Sequence, residues 1–267
     1  MKRLLIICAL VMLVSRVDAN IILSTTETET LGGLTFRDAD LAEYDPVTDT
    51  ASLFFNEDLF ASCVDDIDAV HVLDNGHIIL STKMWASIGG LVFRNGDLVE
   101  YDPLTDTATL FFSEDLFCSY ENIDAVSILT NGNIVLSTSG DAKLAGLIFK
   151  DGDLVEYNPG SLQATLFLSE DIFGCDEDID AVHVLVDGKI LLSTESSATL
   201  AGLYFEDGDV IEYDPKNGTA SLYFDEDWLQ CGEEDVDAVH VPEPSTLLLL
   251  ALGMLMMSSK RIRRRIM

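Results

Sequence analysis

Four aspartates, Asp68, Asp124, Asp180 and Asp237, each open a short apolar segment of the same kind: IDAVHV, IDAVSI, IDAVHV and VDAVHV. If these segments are brought to a common axis, four carboxylates meet there. Hard oxygen donors of that kind suit Ca²⁺ or Mg²⁺. The other role for such an aspartate is to accept backbone N–H groups and fix the corner of its own turn. A carboxylate repeated in every unit fits that corner role better than catalysis, because an enzyme site is asymmetric.

Three residues further on stand His71, His183 and His240, with Ser127 at the same place in the second segment. Three equivalent histidines raise the question of a transition-metal ring. Equivalent positions in a ring of repeats are expected to sit well apart, and a metal needs its ligands about 2 Å from one point. The expectation is therefore buried, hydrogen-bonded imidazoles packed between repeats. Cys63, Cys118, Cys175 and Cys231 also occur once per unit. In an oxidising compartment they could bridge in three pairings, and their spacing resembles neither a zinc motif nor a redox CxxC. Acidic loops precede each aspartate: Glu57-Asp58 with Asp65-Asp66, Glu114-Asp115 with Glu121, Glu170-Asp171 with Asp176-Glu177-Asp178, and Glu226-Asp227 with Glu233-Glu234-Asp235. They read as solvated surface with weak affinity for Ca²⁺ and fit no EF-hand loop. No nucleophile elbow, phosphate-binding loop or dinucleotide fingerprint appears in the chain.

The 267 residues carry 47 Asp and Glu against 15 Lys and Arg, for a net charge of −32. Eight of those basic residues lie near the ends: Lys2, Arg3, Arg16, Lys260, Arg261, Arg263, Arg264 and Arg265. The middle of the chain is thus more acidic still. Nucleic acid is excluded as a partner, since phosphate binding needs Lys and Arg.

What must position the four aspartates is a hairpin. Ile67 to Thr82 (IDAVHVLDNGHIILST) holds two β-branched runs joined at Asn75-Gly76, and it recurs at residues 123–138 and 179–194. Asn-Gly predicts a two-residue type I′ turn with both residues at positive φ. After each hairpin come a Gly-containing segment (GGLVF, AGLIF), then DLVEYDP and TATLFF, two alternating runs joined by a turn. The DLxEYDP element begins at Asp40, Asp97, Asp153 and Asp209, a period of 56–57 residues. Four antiparallel strands per unit and a fixed period mean blades. The GGLVF segments could add a short strand.

The fourth hairpin is split. Its second strand is NIILST at Asn20–Thr25, and its first is VDAVHV at Val236–Val241. Pairing the two builds one blade from both ends and removes the unpaired edges of a ring. The fold class is therefore all-β, a four-bladed β-propeller over residues 20–241, with an open stack as the alternative.

Two flanking segments lie outside that domain. Residues 1–19 have Lys2-Arg3, an apolar run and Val17-Asp18-Ala19, and read as a signal peptide for the Sec export machinery, cleaved after Ala19. Residues 242–267 have VPEPST, an apolar run at Leu247–Met257 and a basic end, which reads as a short transmembrane helix with a cytoplasmic C-terminus. This order resembles the PEP-CTERM protein-sorting signal. The resemblance covers only the tail and implies recognition by an exosortase at Pro242, Glu243 and Pro244. It also implies passage through the inner membrane, then the cell surface or extracellular space, in a setting of extracellular polysaccharide. The functional expectation is a non-enzymatic binding or structural component of the surface or matrix, with Ca²⁺ as the one cofactor in view and polysaccharide or a surface protein as partner. The alternatives are a Ca²⁺-dependent propeller hydrolase of the lactonase kind, which blades with D-G hairpins and EYDP vaguely resemble, and a multivalent carbohydrate-binding lectin.

Overall fold

The fold is taken from a computed structural model, which describes residues 19–61, 66–175, 177–230 and 234–242. Four four-stranded antiparallel sheets surround one axis. Three are continuous in sequence. From the innermost strand outward, the second blade is Ala69–Val72, Ile78–Ser81, Leu98–Asp102 and Thr107–Phe112. The third is Ala125–Ile128, Ile134–Ser137, Leu154–Asn158 and Gln163–Leu168, and the fourth is Ala181–Val184, Ile190–Ser193, Val210–Asp214 and Thr219–Phe224.

The first blade closes the ring. Its innermost strand is Ala238–His240, and outward from it run Ile21–Ser24, Leu41–Asp45 and Thr50–Phe55. Ile22 pairs with His240, Leu23 with Val239 and Ser24 with Ala238. The split hairpin is thus the clasp, in the register of the intact hairpins, where Ile79 pairs with His71 and Leu80 with Val70.

Strands buried on both faces must be apolar throughout, and the second strands read IILS, IILS, IVLS and ILLS with every residue buried. The core is divided into four lobes, each between adjacent blades. One lobe packs Val70, Ile78 and Leu80 of the second blade on Ile22, Leu41 and Phe55 of the first. The serine ending each second strand bonds back to the next loop. Ser81 Oγ donates to the carbonyls of Asn95 (2.7 Å) and Asp97 (3.1 Å), and Ser24, Ser137 and Ser193 do the same in their blades.

Three local features depart from the sequence reading. The hairpin turns are not type I′: Gly76 has φ +83°, while Asn75 is not at positive φ. Gly76 N–H closes the turn on Leu73 O at 2.8 Å, and Asn75 Oδ1 accepts His77 N–H at 2.9 Å. The asparagine side chain caps the turn, so the left-handed residue is glycine alone. The GGLVF segments make small outer hairpins, such as Ala86–Ile88 with Leu91–Phe93, where a single strand was expected. The acidic EDL elements are one-turn 3₁₀ helices, capped by Asn56, Ser113, Ser169 and Asp225. Among the described residues no helix is long and apolar enough to cross a membrane, and the expected helix at residues 247–257 and residues 1–18 of the expected signal peptide lie outside them.

Candidate functional site

The innermost strands carry two rings of polar side chains, one of carboxylates and one of histidines. Asp68, Asp124, Asp180 and Asp237 each stand one residue before an innermost strand and are 5–8% exposed. Two residues before each lies a second polar group: Asp66, Asn122, Asp178 and Asp235. Each inner aspartate meets the outer group of the next blade. Asp68 Oδ2 accepts Asn122 Nδ2–H at 2.8 Å. At the other junctions the partner is another acid: Asp124 with Asp178, Asp180 with Asp235, and Asp237 with Asp66.

Two carboxylates offer only acceptors to one another. As ionised groups, both oxygens of Asp180 and both of Asp237 lack a hydrogen-bond donor, as do Asp66 Oδ1, Asp68 Oδ1, Asp124 Oδ1, Asp178 Oδ1 and Asp235 Oδ1. Burial, then like charge across the junctions, holds Asp124 and Asp237 well above the usual carboxylate range. Burial likewise raises Asp68 and Asp180. The outer acids are pushed up too, Asp66 to about 6 and Asp178 and Asp235 to about 7, with desolvation as the main cause. Ionised together, these acids repel one another across three of the four junctions.

The histidines are where the structure overturns the expectation. His71, His183 and His240 are not apart: one ligating nitrogen from each lies within 4.8 Å of the others. His71 and His183 stack at 5.6 Å between ring centroids, and His240 meets both edge-on at 4.8 and 4.6 Å. With only four blades, the innermost strands converge far more closely than the general picture of a propeller suggests. Two of the three do bond between blades as expected: His71 Nδ1 accepts Ile128 N–H and His240 Nδ1 accepts Val72 N–H, each at 3.3 Å. Ser127 Oγ makes the corresponding bond to Val184 N–H at 3.0 Å. His183 has no hydrogen-bond partner on either nitrogen, at 2% exposure. Burial keeps these rings neutral, lowering His71 to about 4 and His183 to about 3.

Sequence reasoning passed over a second set of acids. Asp40, Asp97, Asp153 and Asp209 open the third strands and are buried. Asp97 Oδ2 accepts Arg94 N–H at 2.9 Å and its Oδ1 accepts Glu114 N–H at 2.9 Å, joining the outer hairpin to the 3₁₀ turn. This is the backbone-fixing role that the sequence offered for Asp68. The EDL acids are not simple surface either, since Glu114 is buried and paired with Arg94 at 2.6 Å. Cys118 and Cys175 are exposed and not joined to one another, and Cys63 and Cys231 lie outside the described residues, as do Glu243 and Pro244.

Residues 240–265 match the family described as the PEP-CTERM protein-sorting motif. The chain carries a PEP-CTERM sorting signal. The match begins at His240, the last residue of the clasp strand. The signal indicates recognition by an exosortase and export to the cell envelope or surface. No curated protein sequence matches the chain. Among solved structures, an auxiliary nutrient binding protein from Bacteroides ovatus is 10% identical with a TM-score of 0.34, over 75% of this chain and 41% of that one. A protein of unknown function from Bacteroides caccae is 12% identical with a TM-score of 0.30, over 76% and 56%. These likenesses carry no functional argument. The chain spans 21% to 56% of the length of such neighbours.

Proposed function

We propose that this PEP-CTERM protein is a non-enzymatic binding or structural component of the cell surface or extracellular matrix. Its propeller is firmed by a hard divalent cation, Ca²⁺ in the first place, at the axial carboxylates. The observation that carries this reading is the buried ring of Asp68, Asp124, Asp180 and Asp237 with the outer acids Asp66, Asp178 and Asp235, in which nine carboxylate oxygens lack a hydrogen-bond donor. Ionised together, such groups repel at a cost of several kcal/mol unless a cation compensates them. Oxygen donors alone favour Ca²⁺ or Mg²⁺ over softer ions. The acidic exterior would keep the exported chain soluble and suit it to cation-bridged contact with polysaccharide or a surface protein.

Thermal melting of the full chain in millimolar Ca²⁺ and in EGTA tests the cation. The midpoint rises with Ca²⁺ on this reading, and an unchanged midpoint removes it. Placement is tested by following a tagged chain in an exosortase-containing host. Surface accumulation that is lost when Pro242, Glu243 and Pro244 are replaced by alanine supports the sorted-component role, and retention of wild-type distribution would refute it.

A further inference from the structure

The histidine ring asks for a separate explanation. If its purpose were to accept the neighbouring blade's N–H, serine does that better: Ser127 makes a 3.0 Å bond where His71 and His240 make 3.3 Å bonds. His183 makes none, although an orphaned buried polar group costs about 1–3 kcal/mol. An apolar side chain there would avoid that cost. Three neutral imidazoles pointed at one another, with two unsatisfied nitrogens among them, are a better match to a ligand than to packing.

We propose that His71, His183 and His240 form a three-imidazole site for one divalent transition-metal ion of the zinc, cobalt or copper kind, with Ser127 marking the open fourth side of the ring. The ligand type decides the ion. Imidazole nitrogen selects borderline transition metals over Ca²⁺ and Mg²⁺, and three histidines with one open position are a known tetrahedral set.

The distances are near what is required. Nitrogens about 2.1 Å from a tetrahedral ion lie about 3.4 Å from each other, and the three here already lie within 4.8 Å. Closing that difference is the adjustment that loading requires. Loading also moves a proton: an imidazole that binds the ion through Nε2 carries its hydrogen on Nδ1. The site therefore exchanges the two long bonds from Val72 and Ile128 for metal–nitrogen bonds. Asp68, Asp180 and Asp237 stand three residues before His71, His183 and His240, just ahead of the same inner strands, and their field favours a cation on the axis.

The experiment is a Co²⁺ titration of the metal-stripped full chain in millimolar Ca²⁺, which occupies hard oxygen sites first. The expected result is a visible d–d absorption band of tetrahedral nitrogen ligation that saturates at one ion per chain and is displaced by Zn²⁺. H71Q should weaken Co²⁺ binding about tenfold or more, and D124N should leave the band in place. H183F removes a ligand while filling the site with an apolar ring, so it serves if H71Q does not fold. No band in the wild-type chain, or an unchanged band in the folded histidine variants, overturns the proposal. A Ca²⁺-dependent melting shift is read separately, so the two metal readings can fail independently.

Discussion

Glu206 meets Glu226 acid to acid, a pair that can bond only by sharing a proton, at the place where the other three blades set a cation against the same glutamate. Arg37 pairs with Glu57, Arg94 with Glu114 at 2.6 Å, and Lys150 with Glu170. In the fourth blade the partner is another acid. Burial, then the bond to Glu206, raises Glu226 to about 7.

That substitution sets a pH prediction with a definite sign. A carboxyl whose folded pKa is raised contributes stability that is fully present below its unfolded value of 4.5 and is lost as pH rises through about 7. E206R restores the ion pair of the other blades. The variant should melt about 2–4 °C above wild type at pH 8, equivalent to about 1 kcal/mol for a domain of this size. The difference should shrink as pH falls from about 7 towards 4.5. Melting curves over that range decide it, and a pH-independent difference would refute the shared proton.

Asn122 shows what the other axial junctions lack. It donates to Asp68 at 2.8 Å, while Asp178, Asp235 and Asp66 face their inner aspartates as acids. D178N copies the amide into the junction with Asp124. In EGTA at pH 7.5 the variant should be more stable than wild type by about 1.5–3 kcal/mol, the worth of a hydrogen bond to a charged group. Its gain on adding Ca²⁺ should be smaller. A lower midpoint in EGTA would mean that the junction is not under repulsion.

Asp97 holds two backbone N–H groups that belong to different elements, Arg94 and Glu114. D97A leaves both without their acceptor in a buried corner, and the expected loss is about 2–4 kcal/mol. Chemical denaturation should show a lower midpoint with an unchanged slope, because the folded architecture survives. D68N, by contrast, keeps a partner in Asn122 and should be nearly neutral in EGTA. Equal losses in the two variants would contradict the division between corner-fixing and axial acids.

The blades were legible because their signals are local. Period-two runs, Asn75-Gly76 and the 56–57-residue spacing all act within a single unit, and the phase shift between Asn20–Thr25 and Val236–Val241 announces the clasp. What was not legible depends on distances across the axis. The meeting of His71 with His183, two repeats away, follows from how narrow a four-bladed ring is, and nothing in either strand encodes that width. The outer hairpins and the cation set against Glu114 were missed for a related reason. Arg94 is twenty residues from its partner, and its role appears only when the end of the outer hairpin and the 3₁₀ turn are placed side by side. Glu206 is the exception that a repeat alignment could have flagged, since it breaks the Arg, Arg, Lys series at one position.

The clasp makes the whole ring depend on three residue pairs, Ile22 with His240, Leu23 with Val239 and Ser24 with Ala238. Deleting residues 20–25 exposes the edges of two strands and opens the lobes that Ile22 and Leu23 help fill. The expected outcome is loss of one cooperative transition for the entire domain, because each blade packs on both neighbours. Milder damage should follow L23A, about 2–5 kcal/mol for a fully buried leucine. The sorting signal begins at His240 inside this same strand, so release of the clasp also frees the segment that precedes Pro242. Hydrogen exchange resolves the question directly. Protection lost throughout the deleted chain supports a closed cooperative ring, and protection retained in residues 125–168 would mean that the third blade stands without closure.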